Sequence, residues 1–169
     1  MEFYKLNHEA NITDLETFNY PNQKIGVIVH IEDELGNILL QQRGIKSRDE
    51  NGLYEDVGGS LDNTDKNFKE AIIREMKEEM GEDAHVEISD SIGIYHVCKK
   101  DINWVFIIFY GKYINGEIKI MEPDKCLGYK FFTYEEAQDS DIVTESCKYL
   151  IKSVKNLNKE VFKWVVRKW

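Results

Sequence analysis

Apolar positions along the chain follow two rhythms, and together they predict a succession of strands interrupted by helices. Lys24–Glu32 is rich in Val and Ile and predicts a buried strand. Asp33-Glu34-Leu35-Gly36-Asn37 supplies turn residues, and Ile38–Arg43 resumes as a strand, so the pair predicts a β-hairpin. Residues 44–52 form a charged loop, and Leu53–Val57 is short and extended. Gly58-Gly59 breaks it, and residues 61–65 continue as loop. The rhythm then changes to helical spacing over residues 66–80, with Asp65 as the expected N-cap and Gly81 as the stop. Ala84–Cys98 and Ile102–Ile114 predict two long strands, and Asn115-Gly116 is a hairpin signal with Glu117–Met121 as its expected partner strand. Gly128–Thr133 predicts another strand, Tyr134–Gln138 a short helical turn, and residues from about 141 to 168 a long C-terminal helix starting near Asp141 or Thr144. Residues 1–23 are polar and mixed, an arm or an edge strand. The order is strands, helix, strands, helix. It predicts a mixed sheet with helices packed on it, in one domain over residues 1–169, and not an alternating Rossmann chain.

Composition narrows the function classes. Hydrophobic residues make up 42% and aromatics 12%, which excludes a disordered chain. The net charge is −9, so long nucleic acid is a poor general partner. A phosphorylated small molecule remains compatible with that charge if a cation bridges the two. Cys98, Cys126 and Cys147 have no CxxC spacing, which argues against a zinc knuckle or a disulfide framework and for buried free thiols. The first residues lack a basic stretch followed by an apolar run, and no stretch approaches the ~20 apolar residues of a membrane span. The expectation is a cytoplasmic protein without a membrane partner; a homodimer is left open.

The chemistry concentrates in Arg74-Glu75-Met76-Lys77-Glu78-Glu79-Met80-Gly81. With about 100° per helical residue and Glu75 at zero, Glu78 falls at about −60° and Glu79 at about +40°. Three carboxylates thus share one face, bordered by an apolar stripe of Ile72, Ile73, Met76 and Met80. Like charges at i,i+4 repel, more so when partly buried. A hard divalent cation such as Mg²⁺ removes that conflict, and the lack of His or Cys argues against zinc. The bland alternative is a solvated charged face, with Arg74 pairing Glu78 and Glu70 pairing Arg74. Upstream, Gly52-Leu53-Tyr54-Glu55-Asp56-Val57-Gly58-Gly59 places a glycine pair where backbone can lie directly against a ligand.

This arrangement resembles the Nudix family, whose box reads G-x5-E-x7-R-E-U-x-E-E-x-G-U with U a bulky apolar residue. Gly59, Arg74, Glu75, Met76, Glu78, Glu79 and Gly81 match, within a box-like segment at residues 58–82. Leu53-Tyr54, Gly58 and the Ile38–Arg43 strand resemble the lead-in. There are departures. Asp65 stands at the first acidic position, eight residues instead of seven precede Arg74, Glu82 takes the last apolar place, and Val57 stands where many members have Pro.

The resemblance implies an α/β/α sandwich around a mixed sheet. It implies a hydrolase that cleaves a phosphoric anhydride in a nucleoside diphosphate derivative, with a nucleoside triphosphate or related nucleotide as substrate and Mg²⁺ or Mn²⁺ as cofactor. Glu78 and Glu79 would be metal ligands, Glu75 a further ligand or the base, and the Gly58 carbonyl a ligand or a plain turn. Arg43 can reach a phosphate or stand solvated at its strand end. Tyr54 can stack on a base or fill the sheet. Glu122, in Glu122-Pro123-Asp124-Lys125-Cys126, can supply a distal carboxylate or sit in a simple turn. His30, His85 and His96 are expected as packed or surface residues. Beyond residue 151 the tail carries six basic residues against Glu160, interleaved with Phe162, Trp164, Val165 and Trp169. It can touch RNA or a membrane surface, or form an amphipathic helix with an apolar core face and a basic outer face. Rival readings are an enzyme for ADP-ribose, a dinucleoside polyphosphate or capped RNA, an isoprenoid isomerase, and a non-catalytic nucleotide-binding module.

Overall fold

Strand β2 (Gln23–Glu32) is the spine, and its two faces explain its nearly continuous apolar run. Val27, Val29 and Ile31, all fully buried, belong to one core, whereas Ile28 packs into another. A strand covered on both faces has no solvent side to make polar. The computed structural model describes residues 2–5, 23–47, 49–99, 102–157 and 164–165.

The other elements are β1 (Glu2–Lys5), β3 (Ile38–Arg43), β4 (Tyr54–Glu55), β5 (Val57–Ser60), α1 (Phe68–Met80), β6 (His85–Lys99), β7 (Ile102–Asn115), β8 (Cys126–Phe132), α2 (Tyr134–Asp139), α3 (Glu145–Lys155) and β9 (Trp164–Val165). The sheet runs β1-β6-β7-β2-β3-β4, with β5 on β2, β8 on β3 and β9 on β6. It is mixed: β2 and β7 are parallel, from Gln23↔Asn103 to Glu32↔Lys112, and the other strand pairings are antiparallel. Helix α1 packs Ala71, Ile72, Met76 and Met80 against Val27, Val29 and Ile107. Helix α3 packs Cys147 and Ile151 with Ile38 and Leu40, and Leu150 and Val154 with Ile108 and Tyr110. The expected layered α+β architecture is therefore present.

Four local expectations need correction. The N-cap of α1 is Asn67, whose side chain accepts from the Glu70 N–H, so the helix starts at Phe68. Asp65 is engaged elsewhere. Gly58-Gly59 do not break a strand; they lie in β5, paired with Ile28 and Val27. Glu117–Met121 is not a strand, because its N–H groups serve the end of α1: Lys119 donates to Met80 O at 2.9 Å and Met121 to Glu79 O at 3.3 Å. Carbonyls in the last turn of a helix need such partners. Finally, the helix expected over about 141–168 spans Glu145–Lys155, capped by Thr144, and Trp164–Val165 is a strand paired to Ser89 and Ile88. Aromatic and β-branched residues favour that pleated partner over a further helical turn. Lys159, Lys163, Arg167 and Lys168 of the basic tail lie outside the described residues, as do residues 6–22 of the N-terminal arm. Cys126 and Cys147 are buried as expected, whereas Cys98 is exposed.

Candidate active site

The site forms where α1 crosses β5. A Cβ on Gly58 would collide with Val27 O, and one on Gly59 with the carboxyl group of Glu75. Glycine at both positions lets the backbone touch β2 on one side and an acidic side chain on the other. The strand–glycine–loop–helix unit seen in the sequence therefore has a physical purpose: it presses a carboxylate against bare backbone.

Arg74 organises the mouth of this unit. Its guanidinium binds Asp65 twice, Glu75 at 2.9 Å, Glu78 at 3.1 Å and the Ser60 carbonyl at 3.1 Å. The charge of Arg74 is held firmly by this anionic surround, its pKa raised chiefly by Asp65. Asp65 is lowered by the same contact. The extra residue between Asp65 and Arg74 is absorbed before Asn67, so the acid and the arginine still meet.

Glu79 sits deeper. Burial is the largest reason its carboxyl is pushed up to about 8, and the nearby charges of Glu75 and Glu55 add to it; hydrogen bonds with the Gln41 side chain and Gly58 backbone oppose the shift. Its Oε2 is buried and has no hydrogen-bond partner. Burial also raises Glu75, against the pull of Arg74. Glu78 is exposed. Tyr129 donates to the Glu79 carbonyl at 2.7 Å, fixing the helix end over β8.

Two partly buried acids with raised pKa values, one of them with an orphaned oxygen, form a set of hard oxygen donors suited to Mg²⁺ or Mn²⁺. The donors fit such a cation, with one condition. Among the described residues no three acidic, His or Cys side chains already converge on one point. Glu75 and Glu78 are turned to Arg74. Cation binding thus requires these two carboxylates to exchange a guanidinium for the metal, a local rotamer change.

The remaining expected residues are spread around the site. Arg43 donates to Asp49 through Nε and a terminal nitrogen and pairs with Glu55. It lines a cavity of about 310 Å³ beside the site. Tyr54 fills the sheet: its ring meets Phe132 edge-on at 5.0 Å, and its backbone ties to Ile142 and Thr144. Glu122 accepts from Lys125 Nζ at 2.8 Å in a turn whose carbonyl also receives the Lys125 and Cys126 N–H groups. Lys125 feels the charges of Glu79 and Glu75, so this turn faces the acidic helix.

Sequence reasoning missed the cavity itself. Tyr95, Trp104 and Phe106 form its aromatic side, with Glu50, Glu55, Asp56 and Glu145 around it. Alternation of Trp104 and Phe106 along one strand was the available signal, but both also read as core. It also missed a buried polar group. His30 Nδ1 lies 2.9 Å from Asp56, and His30 Nε2 lies 3.4 Å from Glu32. Cys147 Sγ donates to Asp56 at 3.1 Å and Tyr110 Oη to Glu32 at 2.6 Å. Burial opposes charge on His30, yet the two carboxylates together raise it to about 9.

A family model described as the NUDIX domain matches residues 22–152. The chain belongs to the Nudix family. Solved structures agree on the Nudix fold. A MutT NUDIX hydrolase from Burkholderia pseudomallei is 22% identical, with a TM-score of 0.68 over 79% of this chain and 99% of that one. A MutT protein from Methanosarcina mazei Go1 is 21% identical, with a TM-score of 0.66 over 85% and 99%. The E. coli ORF135 protein is 20% identical, with a TM-score of 0.65 over 83% and 94%. No curated protein matches the chain. Nudix hydrolases generally use divalent metal ions, and their fold suggests pyrophosphohydrolase activity on nucleotide-like substrates. Among the described residues no helix is long and apolar enough to cross a membrane.

Proposed function

We propose that this Nudix protein hydrolyses a phosphoric anhydride in a nucleotide, taking a nucleoside triphosphate to the monophosphate and pyrophosphate, or a nucleoside diphosphate derivative to the monophosphate and a phosphorylated remainder. The observation that carries this reading is the orphaned, buried Glu79 oxygen beside a Glu75 carboxyl seated on Gly59. Uncompensated buried carboxylates are costly unless a ligand answers them.

Glu75, Glu78 and Glu79, with the Gly58 carbonyl, would hold Mg²⁺ or Mn²⁺, which when bound polarises phosphate oxygens and lowers the pKa of a water. Glu75 is the candidate to take the proton from the attacking water, because burial already raises its basicity. Arg74 orients Glu75 and Glu78 and is a positioning residue. Asp65 fixes Arg74 in turn. Arg43 holds the 49–55 turn through Asp49 and Glu55, and so shapes the neighbouring cavity.

The test is pyrophosphate and phosphate release across triphosphates, nucleoside diphosphate derivatives, dinucleoside polyphosphates and capped RNA, with Mg²⁺ and with Mn²⁺. Turnover lost to chelator and cut at least ~10²-fold in Glu78→Gln is expected. Nucleotide binding with no turnover of any substrate would instead make this a binding module.

A further inference from the structure

The chain changes partner strand at a single residue. Tyr54 and Glu55 pair with β3, whereas Val57 to Ser60 pair with β2. Asp56 stands between the two ladders and is 6% exposed. We propose that Asp56, held by His30 and Cys147, is a positioning residue of the catalytic unit: it fixes the crossing from β4 to β5 and so sets Gly58 and Gly59 against Glu79 and Glu75. The proposal rests on the hydrolase reading above and adds the side chains that hold its backbone in place.

Four observations carry it. The first is a double anchor. His30 Nδ1 lies 2.9 Å from one Asp56 carboxylate oxygen, and Cys147 Sγ donates to the other at 3.1 Å. His30 belongs to β2 and Cys147 to α3, so one carboxylate is tied to the sheet and to the helix layer at once. Anchors in two directions leave the crossing little freedom to slide or tilt.

The second is that the anchors are themselves held. The His30 ring stacks on Tyr110, its partner in the β2–β7 register, with centroids 6.3 Å apart. His30 Nε2 lies 3.4 Å from Glu32, which accepts from Tyr110 Oη at 2.6 Å. The Cys147 N–H donates to the hydroxyl of the cap residue Thr144 at 3.2 Å. Tyr54 N donates to Ile142 O at 2.7 Å and Thr144 N to Tyr54 O at 3.0 Å, which fastens the lead into α3 onto β4.

The third is what flanks Asp56. On one side the charge of Glu55 acts on Glu79; on the other the Gly58 backbone hydrogen-bonds with Glu79. Gly59 carries the Glu75 carboxyl where its own side chain would otherwise be. A Cβ on Gly58 would strike Val27 O, so β5 already lies in backbone contact with β2. Displacement at Asp56 would therefore be felt at both acids, and misplacement of reacting groups is costly in rate.

The fourth is the choice of residue types. A buried ionic group adds little stability over apolar side chains of similar size. Apolar packing is non-directional, whereas a hydrogen bond fixes an angle as well as a distance. A His, Asp, Cys, Glu and Tyr set in a layer that also holds Ile28, Ile108 and Leu150 is thus accounted for by orientation.

The experiment compares the full chain with Asp56→Asn and with the double variant His30→Leu/Asp56→Leu. The double variant should fold with little change in melting temperature, because both partners become apolar together. Should it not fold, Asp56→Asn, which keeps the side-chain shape, carries the same readouts. Amide hydrogen exchange is followed without metal, and kcat and KM are measured with Mg²⁺. Amides of residues 57–60 are expected to exchange at least ~10-fold faster than in the wild type, with those of β7 unchanged; a general loss of stability would speed both. The kcat should fall at least ~10-fold with KM within about 3-fold. Folded variants whose residues 57–60 keep wild-type exchange overturn the positioning role, whatever their activity. Loosened amides with full kcat overturn it as well. A wild type that turns over no nucleotide removes the hydrolase reading, while faster exchange confined to residues 57–60 still upholds the placement of β5 by Asp56.

Discussion

Arg74 grips Asp65 in parallel, Nε to one carboxylate oxygen at 2.9 Å and a terminal nitrogen to the other at 2.8 Å. The same guanidinium reaches Glu75 and Glu78, so one ion pair sets the resting direction of two candidate metal ligands. A lysine cannot reproduce this fork. Arg74→Lys should lower kcat by about 10-fold or more while leaving the fold intact. A double-mutant cycle with Asp65→Asn, read by chemical denaturation, should show coupling of about 1–3 kcal/mol.

Gly59→Ala tests the close approach of backbone and acid. The new methyl group meets the Glu75 carboxyl, the mobile end of a side chain, so the helix should fold and the acid should swing away. Metal-dependent turnover is expected to drop at least ~10²-fold with little change in melting temperature. A fully active Gly59→Ala enzyme would remove Glu75 from the site as described.

Glu79 gives activity and stability opposite signs. Its ionised form is buried beside the charges of Glu75 and Glu55. Glu79→Gln should therefore melt at the same or higher temperature than the wild type in chelator at pH 8. It should lose turnover and lose the stabilisation that added Mg²⁺ gives the wild type, which grows with cation concentration. Differential scanning calorimetry with and without Mg²⁺ reads both effects.

His30 predicts a stability loss on the alkaline side. Its folded pKa is near 9 against 6.5 for the free side chain, so the native state holds the extra proton between those values. The contribution is fully present below about pH 6.5 and vanishes as pH rises through about 9, amounting to about 3 kcal/mol. His30→Gln should melt lower at pH 6 and show a flatter decline from pH 6.5 to 9. An unchanged slope in that variant would remove the protonated histidine from the buried group formed with Asp56, Glu32, Cys147 and Tyr110.

Much of this was legible in the residues because local rules governed it. The acidic face of α1 follows from 3.6-residue geometry, and its apolar stripe follows from the same spacing. Strands β2, β3, β6 and β7 were visible because their apolar runs are long. The illegible parts depend on partners distant in sequence. Asn67 won the cap from Asp65 because Arg74, nine residues on, claimed the acid. Glu117–Met121 gave up pairing to satisfy carbonyls on α1. His30 looked isolated because Asp56, which it bonds, and Cys147 and Tyr110, which bond Asp56 and Glu32 in turn, are distant in sequence and meet only through the fold. The C-terminal helix was overdrawn because amphipathic spacing and a β-branched, aromatic run overlap there.

The parallel pairing of β2 with β7 joins Val27 to Ile107 and Val29 to Phe109. The acidic helix α1 lies between these strands in sequence. During synthesis the carboxylates therefore emerge well before the strand that completes the sheet beneath them. Contacts so far apart in sequence form late and slowly. The cation affinity proposed for the acidic face of α1 should therefore appear only after residues 102–115 have docked.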